Sequence, residues 1–252
     1  MKALILAAGY ATRLRPLTER VAKPLLPLAG RPMIEYIVDG LRETDCDSIH
    51  VVTNSKFAGV FNEWAPPDVT IHDDGTTSDE DKRGAIGDIA FVLDRIGETD
   101  LLVIAGDNLF DYSLAEYVVW WRAKPSPASA VALYEHPDRE LVKQYGVVEV
   151  DADDLILSFV EKPPDPPSNL AATAAYIYDS EHTKLVRTYL AEGNSPDQPG
   201  RYVEWLHTRA RVYGYRFGGE WRDIGDKDQL LEADNALRER AGLETRAEYA
   251  LT

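Results

Sequence analysis

The chain has 252 residues but a single cysteine, and its apolar runs are short. The longest of them, such as residues 101–105, fall far short of the roughly 20 residues that a membrane-spanning helix needs. One thiol, Cys46, permits neither an internal disulfide nor a cysteine zinc cluster. These absences exclude disulfide-stabilised and integral membrane proteins. An apolar run typical of a strand directly follows Met1 and Lys2, so we expect a cytoplasmic protein without a targeting segment.

Positive charge is also scarce, because 27 Lys and Arg face 43 Asp and Glu, giving a net charge of −16. Such a chain repels nucleic acid and anionic membrane surfaces, so neither is an expected partner. Residues 1–31 are the exception, with six basic residues and one acidic residue. A locally basic segment on an acidic protein suits the capture of a small polyanion.

Apolar runs bounded by turn residues alternate along the chain with helical patterns. This alternation predicts an α/β fold with a Rossmann-like open mixed sheet, mostly parallel, and helices on both faces. In such sheets ligands bind beyond the carboxyl ends of the strands. Strands are predicted at 3–7, 49–53, 101–105, 130–134, 146–150, 173–178 and 212–217, and helices at 32–41, 86–96, 114–122 and 226–240.

The loop after the first strand contains small residues and then two cations. Residues 7–9 are Ala, Ala and Gly, which let a ligand approach the backbone, and N–H groups in such turns bind phosphate oxygens. Arg13 offers a planar bidentate donor and Lys23 a compact charge. Ala11 and Leu14 stand where glycines would be required, which excludes a dinucleotide fingerprint and an ATPase-type phosphate loop. The alternative is an ordinary surface turn with solvated cations.

The whole stretch, LAAGYATRLRPLT at 6–18 and AKPLLPLAGRPMIEY at 22–36, resembles the signature of the sugar-phosphate nucleotidylyltransferases. That family includes glucose-1-phosphate thymidylyltransferases and mannose-1-phosphate guanylyltransferases, and it usually has glycine where this chain has Ala11. Further matches follow in the family's order over residues 1–240. They are Gly106-Asp107, YGVVEV at 145–150, Glu161-Lys162-Pro163, SNLAATAAYIY at 168–178 and EWRDIGD at 220–226.

The resemblance implies one domain over residues 1–252. Its nucleotide-binding part would span about 1–125, its sugar-phosphate-binding part about 126–225, and its C-terminal helix about 226–241. It also implies that Asp107 and Asp223 hold Mg²⁺, whose preferred ligands are oxygens. Arg13 would neutralise the leaving pyrophosphate, Lys23 would contact the phosphates at the reacting centre, and Lys162 would hold the sugar phosphate.

Further residues are expected on each side of the site. Between residues 73 and 88, Gly84 would let the base approach the backbone and Thr76 or Thr77 would form a hydrogen bond with its edge, although a solvated acidic loop fits the composition equally. The nucleotide side comprises Leu6, Ala7, Ala8, Gly9, Arg13, Thr76, Gly84 and Asp107. The sugar-phosphate side comprises Gly146, Glu161, Lys162, Asn169 and Thr173.

The implied reaction transfers a nucleotidyl group from a nucleoside triphosphate to a sugar 1-phosphate, or to a cyclitol or polyol phosphate with similar hydroxyls. Two alternatives stand beside it. One is a regulatory relative that binds nucleotide without catalysis, although such proteins tend to lose cations or carboxylates that this chain retains. The other is a glycosyltransferase using the Asp-x-Asp pattern at Asp151 and Asp153. The base, the acceptor and the oligomeric state stay open.

Overall fold

A computed structural model describes residues 1–251, which form thirteen strands and eight helices together with short 3-10 turns. The strands are β1 Lys2–Leu6, β2 Pro27–Leu28, β3 Arg31–Pro32, β4 Ile49–Thr53, β5 Val69–Asp73, β6 Leu101–Ala105, β7 Asn108–Phe110, β8 Ser129–Glu135, β9 Gly146–Val150, β10 Ile156–Glu161, β11 Leu170–Tyr178, β12 Val212–Phe217 and β13 Trp221–Asp223. The helices are α1 Met33–Arg42, α2 Ala58–Trp64, α3 Ala85–Ile96, α4 Leu114–Arg122, α5 Arg139–Val142, α6 Ser180–Ala191, α7 Pro199–Leu206 and α8 Lys227–Arg240.

Nine strands form one mixed sheet in the order β10-β9-β11-β6-β1-β4-β5, with β8 pairing β11 and β12. Strands β6, β1, β4 and β5 are parallel, so their carboxyl ends meet at one edge. Strand β11 runs antiparallel to β6, β8 and β9. The predicted open mixed sheet is therefore confirmed, and its antiparallel pairings all involve strands after residue 125.

Helices cover both faces of this sheet, as the sequence predicts. Side chains alternate along β1, because Ala3 and Ile5 pack into one core cluster and Leu4 into the other. The first cluster includes residues of α1, α2 and α4, and the second includes residues of α3, α6 and α7. Burial on both faces explains why the central strands are continuous apolar runs.

A third, smaller cluster holds distant loops together at the carboxyl edge of the sheet. Leu14 of the first loop packs with Leu109 of β7, Ile224 after β13 and Leu230 of α8. Strands β7 and β13 form a two-stranded ribbon in which Asp223 lies opposite Asn108. Burying these apolar side chains fixes three separate chain segments relative to one another.

All seven predicted strands and all four predicted helices are present, with ends shifted by no more than a few residues. Pro32 precedes α1 rather than beginning it, and Asp226 caps α8 through a capping box with Gln229. The prediction lacked six strands: β2, β3, β7 and β13, which are two or three residues long, and β5 and β10, which are half-exposed strands at the ends of the main strand order. It also lacked α2, α5, α6 and α7. No helix among residues 1–251 is both long and apolar enough to cross a membrane.

Candidate active site

The loop after β1 presents backbone donors at the carboxyl edge of the sheet. Buried Asn54, directly after β4, donates from Nδ2 to the carbonyl oxygen of Ala8 at 2.8 Å. Ala11 adopts φ 45° and ψ 48°, a left-handed conformation that glycine adopts more readily. Within residues 1–251, the N–H groups of Gly9, Tyr10 and Ala11 donate no hydrogen bond. Unpaired N–H groups in a tight loop can bind the oxygens of an anion.

Three cations surround one carboxylate at this edge. Arg13 lies in the 3-10 turn Thr12–Leu14, Lys23 begins the turn Lys23–Leu25, and Lys162 follows β10 with φ 52°. All three lower the pKa of Asp223 through their charges, so all three lie near it. The tertiary structure thus brings together the three cations that the sequence assigns to catalysis.

Asp107 and Asp223 form a pair of interacting carboxylates. Asp107 follows β6, and its Oδ2 accepts a hydrogen bond from Nζ of Lys23 at 2.7 Å while its Oδ1 accepts one from Asn108 at 3.0 Å. Burial raises the pKa of Asp107, but the Lys23 ammonium, together with the hydrogen bonds from the backbone and from Asn108, holds this pKa below its usual value. Burial, and then the charge of Asp107, raise the pKa of Asp223 to about 6.

This carboxylate pair fits a divalent cation. A second negative charge disfavours ionisation of Asp223, and a cation between the two groups would reverse that effect. Among residues 1–251, no cluster of three or more His, Cys, Asp or Glu side chains is arranged to hold a metal. Magnesium usually binds one or two carboxylates and takes its other ligands from water and phosphate. The donor set therefore suits Mg²⁺ that is shared with a phosphorylated substrate.

Two cavities meet at Asp107. The first, called here the phosphate cavity, is lined by the β1 loop, by both N-terminal cations and by Asp107. The second, called here the acceptor cavity, lies between β9, β10, β11 and the start of α7, and Asp107 and Asp223 line it too. A group bound in one cavity can therefore reach a group bound in the other beside these carboxylates. The phosphate cavity is lined by Leu6, Ala7, Gly9, Ala11, Arg13, Lys23, Pro24, Asp107 and Gly225.

Glu161 is placed in the acceptor cavity by two glycines that leave it room. A Cβ on Gly200 would lie 2.0 Å from Oε2 of Glu161, and a Cβ on Gly146 would lie 3.0 Å from it. Burial raises the pKa of Glu161, whereas the charges of Lys162 and Arg201 lower it. A half-buried carboxylate near two cations can accept hydrogen bonds from hydroxyl groups of a ligand.

Aromatic rings form one wall of the acceptor cavity, and the sequence analysis did not identify them. Trp221 and Tyr145 make an edge contact with ring centroids 4.8 Å apart, and Tyr176 lines the same cavity. Nε1 of Trp221 donates to Oδ1 of Asn108 at 2.6 Å, which fixes the indole beside Asp107. Both Trp221 and Tyr145 lie inside segments that resemble the family, so the signal was present in those motifs.

Not every predicted site residue faces a cavity. Ala8 and Asn169 line neither cavity, and the Asn169 side chain accepts instead from Arg139 at 3.4 Å. Thr173 lines the acceptor cavity, but its hydroxyl donates to the carbonyl of Ala132 at 3.1 Å. The predicted residues that line the phosphate cavity include Leu6, Ala7, Gly9, Arg13 and Asp107. Those that line the acceptor cavity include Gly146, Glu161, Lys162, Asp107 and Asp223.

Thr76 and Gly84 also lie outside both cavities. The Thr76 hydroxyl donates to Asp74 at 2.7 Å. Gly84 has φ 76°, and a Cβ there would lie 2.6 Å from the carbonyl oxygen of Pro196. Residues 196 and 197 of the chain itself therefore make a close approach that requires glycine at this position.

The sheet, the basic loop and the paired carboxylates at one edge define an α/β protein of the nucleotide-binding class. The family model described as nucleotidyl transferase matches residues 2–240. The chain belongs to the nucleotidyl transferase family.

Individual relatives agree with this assignment. The bifunctional protein GlmU of Methanocaldococcus jannaschii is 28% identical over 95% of this chain and 55% of its own length. A glucose-1-phosphate adenylyltransferase of Clostridium acetobutylicum is 26% identical over 93% of this chain and 66% of its own length. The chain thus spans about half to two thirds of these curated relatives. A solved structure, a putative glucose-1-phosphate thymidylyltransferase from Bacillus anthracis in complex with a sucrose, has a TM-score of 0.80 and 26% identity, covering 95% of this chain and 96% of that one.

Proposed function

We propose that the protein transfers a nucleotidyl group from a nucleoside triphosphate to a sugar 1-phosphate, or to a cyclitol or polyol phosphate, and releases pyrophosphate. The observation that carries this proposal is the position of Asp107, which lines the phosphate cavity and the acceptor cavity at once. In this proposal residues 1–125 bind the triphosphate and residues 126–225 bind the acceptor. The names of two relatives support it, because both describe nucleotidylyltransferases that act on glucose 1-phosphate.

The chemistry needs positioning and charge neutralisation more than a strong base. A phosphate oxygen of the acceptor attacks the α-phosphorus, a new P–O bond forms, and the bond from the α-phosphorus to the bridging oxygen breaks as pyrophosphate leaves. The attacking oxygen is already ionised, so no side chain has to remove its proton. Fixed cations that offset the charge of two polyanions can therefore supply most of the acceleration.

The residues divide this work between the two cavities. Arg13 and the N–H groups of residues 9–11 bind the β- and γ-phosphates, and Lys23 contacts the phosphates next to Asp107. Lys162 holds the acceptor phosphate, and Glu161 accepts hydrogen bonds from acceptor hydroxyls. Trp221 and Tyr145 pack against the acceptor ring. Aromatic faces suit the apolar C–H surface of a sugar or cyclitol.

Magnesium is the metal that we propose for Asp107 and Asp223, because hard oxygen ligands and phosphates favour it. It would offset the negative charge that develops on the reacting phosphate. Burial, and then the charge of Asp107, raise the pKa of Asp223, and a cation between the two carboxylates would offset both effects.

Two alternative functions fit the structure less well. A regulatory, non-catalytic relative would not need the complete set of cations and carboxylates that gathers around Asp107. A glycosyltransferase would use Asp151 and Asp153 as metal ligands. However, Oδ1 of Asp151 accepts from the N–H groups of Asp153 and Leu155 at 2.9 Å each, so this carboxylate closes the turn between β9 and β10.

Pyrophosphate release tests the proposal directly. ATP, CTP, GTP, UTP and dTTP are each incubated with Mg²⁺ and a panel of sugar and cyclitol 1-phosphates, and released pyrophosphate is measured. We expect release only when a triphosphate, an acceptor and Mg²⁺ are all present. The active pair identifies both the base and the acceptor.

Variants separate this reaction from its alternatives. Asp107→Asn is expected to lower turnover by about 100-fold or more, because it weakens charge stabilisation at the reacting centre. Asp151→Asn keeps a side-chain oxygen for its turn and is expected to retain activity. Triphosphate binding without pyrophosphate release for any acceptor would favour the regulatory alternative. Glycosyl transfer from a nucleotide sugar that is lost in Asp151→Asn and kept in Asp107→Asn would favour the glycosyltransferase.

A further inference from the structure

Two carboxyl groups are buried together beneath the loop that joins β5 to α3. Asp74 follows β5 and is 1% exposed, and Asp88 lies in the first turn of α3 and is 5% exposed. The two carboxyl groups lie close together, since the charge of Asp74 acts on Asp88 and raises its pKa. Within residues 1–251, Oδ2 of Asp74 and Oδ1 of Asp88 have no conventional donor as a partner. Two adjacent buried carboxyls cannot both ionise at low cost, so one of them retains a proton and donates it to the other.

Asp74 connects this acid pair to residues 7–11 of the loop after β1, which we call the phosphate loop. Its Oδ1 accepts from both the N–H and the hydroxyl of Thr76, each at 2.7 Å. The Thr76 hydroxyl lies 3.3 Å from the hydroxyl of buried Tyr10, which directly follows Gly9. Hydrogen bonds therefore run from Asp74 through Thr76 to Tyr10, and Asp88 lies beside the buried end of this chain.

The backbone of Asp74 also fixes both ends of the loop that runs from residue 74 to residue 83. The N–H of Asp74 donates to the carbonyl of Thr53 at 2.9 Å, and Nε of Arg83 donates to the carbonyl of Asp74 at 2.7 Å. The loop from residue 74 to residue 83 is thus anchored at both ends on Asp74. A change in the position of Asp74 would move the loop and the hydroxyl of Tyr10 together.

We propose that Asp88 is a positioning residue for the triphosphate: as a neutral carboxylic acid it donates a hydrogen bond to Asp74, and so holds Thr76 and Tyr10 where the phosphate loop needs them. This inference rests on the proposed function, since it concerns the same triphosphate. Asp88 lines neither cavity and therefore acts through Asp74.

The groups that face Asp88 explain why it keeps its proton. Burial, the negative charge of Asp74 and the hydrogen bond to Asp74 raise the pKa of Asp88 to about 8, while the charge of Arg83 lowers it. Asp88 is therefore protonated at neutral pH and loses its proton in mildly alkaline solution. Loss of this proton places two negative charges side by side and breaks the hydrogen bond.

The test compares Asp88→Asn with the wild-type chain from pH 7 to pH 9. Asparagine keeps the size and the donor but cannot ionise. For the wild type we expect KM for the triphosphate to rise about tenfold, because only about a tenth of a group with a pKa of about 8 stays protonated at pH 9. For Asp88→Asn we expect a flat KM across this range. KM for the acceptor should not change in either protein.

Two further variants complete the comparison. Asp88→Ala removes the donor and is expected to raise KM for the triphosphate at every pH. Asp79→Asn removes a surface carboxylate from the same loop, whose partner is Lys82 at 3.6 Å, and should keep the wild-type pH profile. A pH profile for Asp88→Asn like that of the wild type would overturn the proposal. Impairment of Asp88→Asn equal to that of Asp88→Ala at pH 7 would also overturn it, as expected if the pair held a cation instead of a proton.

An unfolding measurement separates this inference from the proposed reaction. Between about pH 4 and pH 8 the folded chain binds a proton at Asp88 that the unfolded chain has released, so wild-type stability falls with rising pH in that range. Asp88→Asn lacks this fall, and its stability relative to wild type should increase up to about pH 8. If the difference in unfolding free energy between Asp88→Asn and the wild type does not change with pH, Asp88 does not carry this proton and the proposal is overturned. An absence of turnover in the wild type would instead contradict the proposed function and leave this result intact.

Discussion

The ammonium nitrogen of Lys23 lies 2.7 Å from Oδ2 of Asp107, at the point where the phosphate and acceptor cavities meet. The Lys23 side chain is 10% exposed and that of Asp107 is 34% exposed, so the pair is partly shielded from water. Such a lysine keeps the carboxylate ionised and ready for a divalent cation. In the proposed reaction it also supplies a positive charge beside the reacting phosphate.

Lys23→Met keeps most of the apolar stem and removes only this charge. We expect turnover to fall by about 100-fold, a usual loss for one electrostatic contact at a reacting centre. Lys184→Met is a suitable control, because Lys184 pairs with Glu181 on the surface of α6. Pyrophosphate release under saturating substrates measures both variants, and equal activity in the two would remove Lys23 from the mechanism.

Arg13→Ala tests the assignment of Arg13 to the leaving pyrophosphate. Charge accumulates on the leaving group in the transition state, so we expect turnover to fall by about 100-fold, with little change in KM for the acceptor. Exposed Arg15, two residues further on, provides the matched control through Arg15→Ala. Steady-state kinetics with each substrate varied in turn gives both constants. A small fall in turnover, matched by an equally small rise in KM for the acceptor, would contradict this role.

Gly200→Ala tests the position of Glu161. The new Cβ would overlap Oε2 of Glu161 and displace the carboxyl from the acceptor cavity. We expect KM for the acceptor to rise by about tenfold, as when one hydrogen-bonded contact is lost, while KM for the triphosphate stays the same. The control is Gly59→Ala in α2, where a Cβ meets open space and the change should stabilise the helix by about 0.5–1 kcal/mol. An unchanged acceptor KM in Gly200→Ala would show that Glu161 does not bind the acceptor.

The buried position of His50 leads us to expect that the free energy of unfolding falls in acid. Its Nδ1 lies 3.0 Å from Nε2 of His72, and burial followed by the charge of His72 lowers the pKa of His50 to about 4. The unfolded chain takes up this proton near pH 6.5 and the folded chain does not, so stability should fall by about 3 kcal/mol between pH 6.5 and pH 4.

Urea unfolding at several pH values measures this loss. In His50→Gln the fall should be much smaller, whereas His207→Gln, which changes a histidine that directly follows α7, should keep it. The same acid dependence in His50→Gln and in the wild type would assign the loss to other groups.

Local pattern was enough to predict much of the fold. The buried strands of the sheet are apolar on both faces, so their runs stand out, and caps such as Asp226 mark helix ends. Strand β5 was not predicted, because it is an edge strand whose last residues, His72 and Asp73, are polar. Its alternation is too short and too polar to distinguish it from a loop.

The sequence by itself determined the candidate groups, namely the cations Arg13 and Lys23 for phosphate and the carboxylate Asp107 for a metal, because they lie in motifs whose order and spacing are informative. Only the tertiary structure decided what surrounds them. Asp223 reaches Asn108 through the pairing of β13 with β7, 115 positions away along the chain. Gly84 meets Pro196 because two loops pack against each other, and Asp88 meets Asp74 because a helix begins above a strand end. Contacts between distant segments depend on packing geometry, and no local periodicity encodes that geometry.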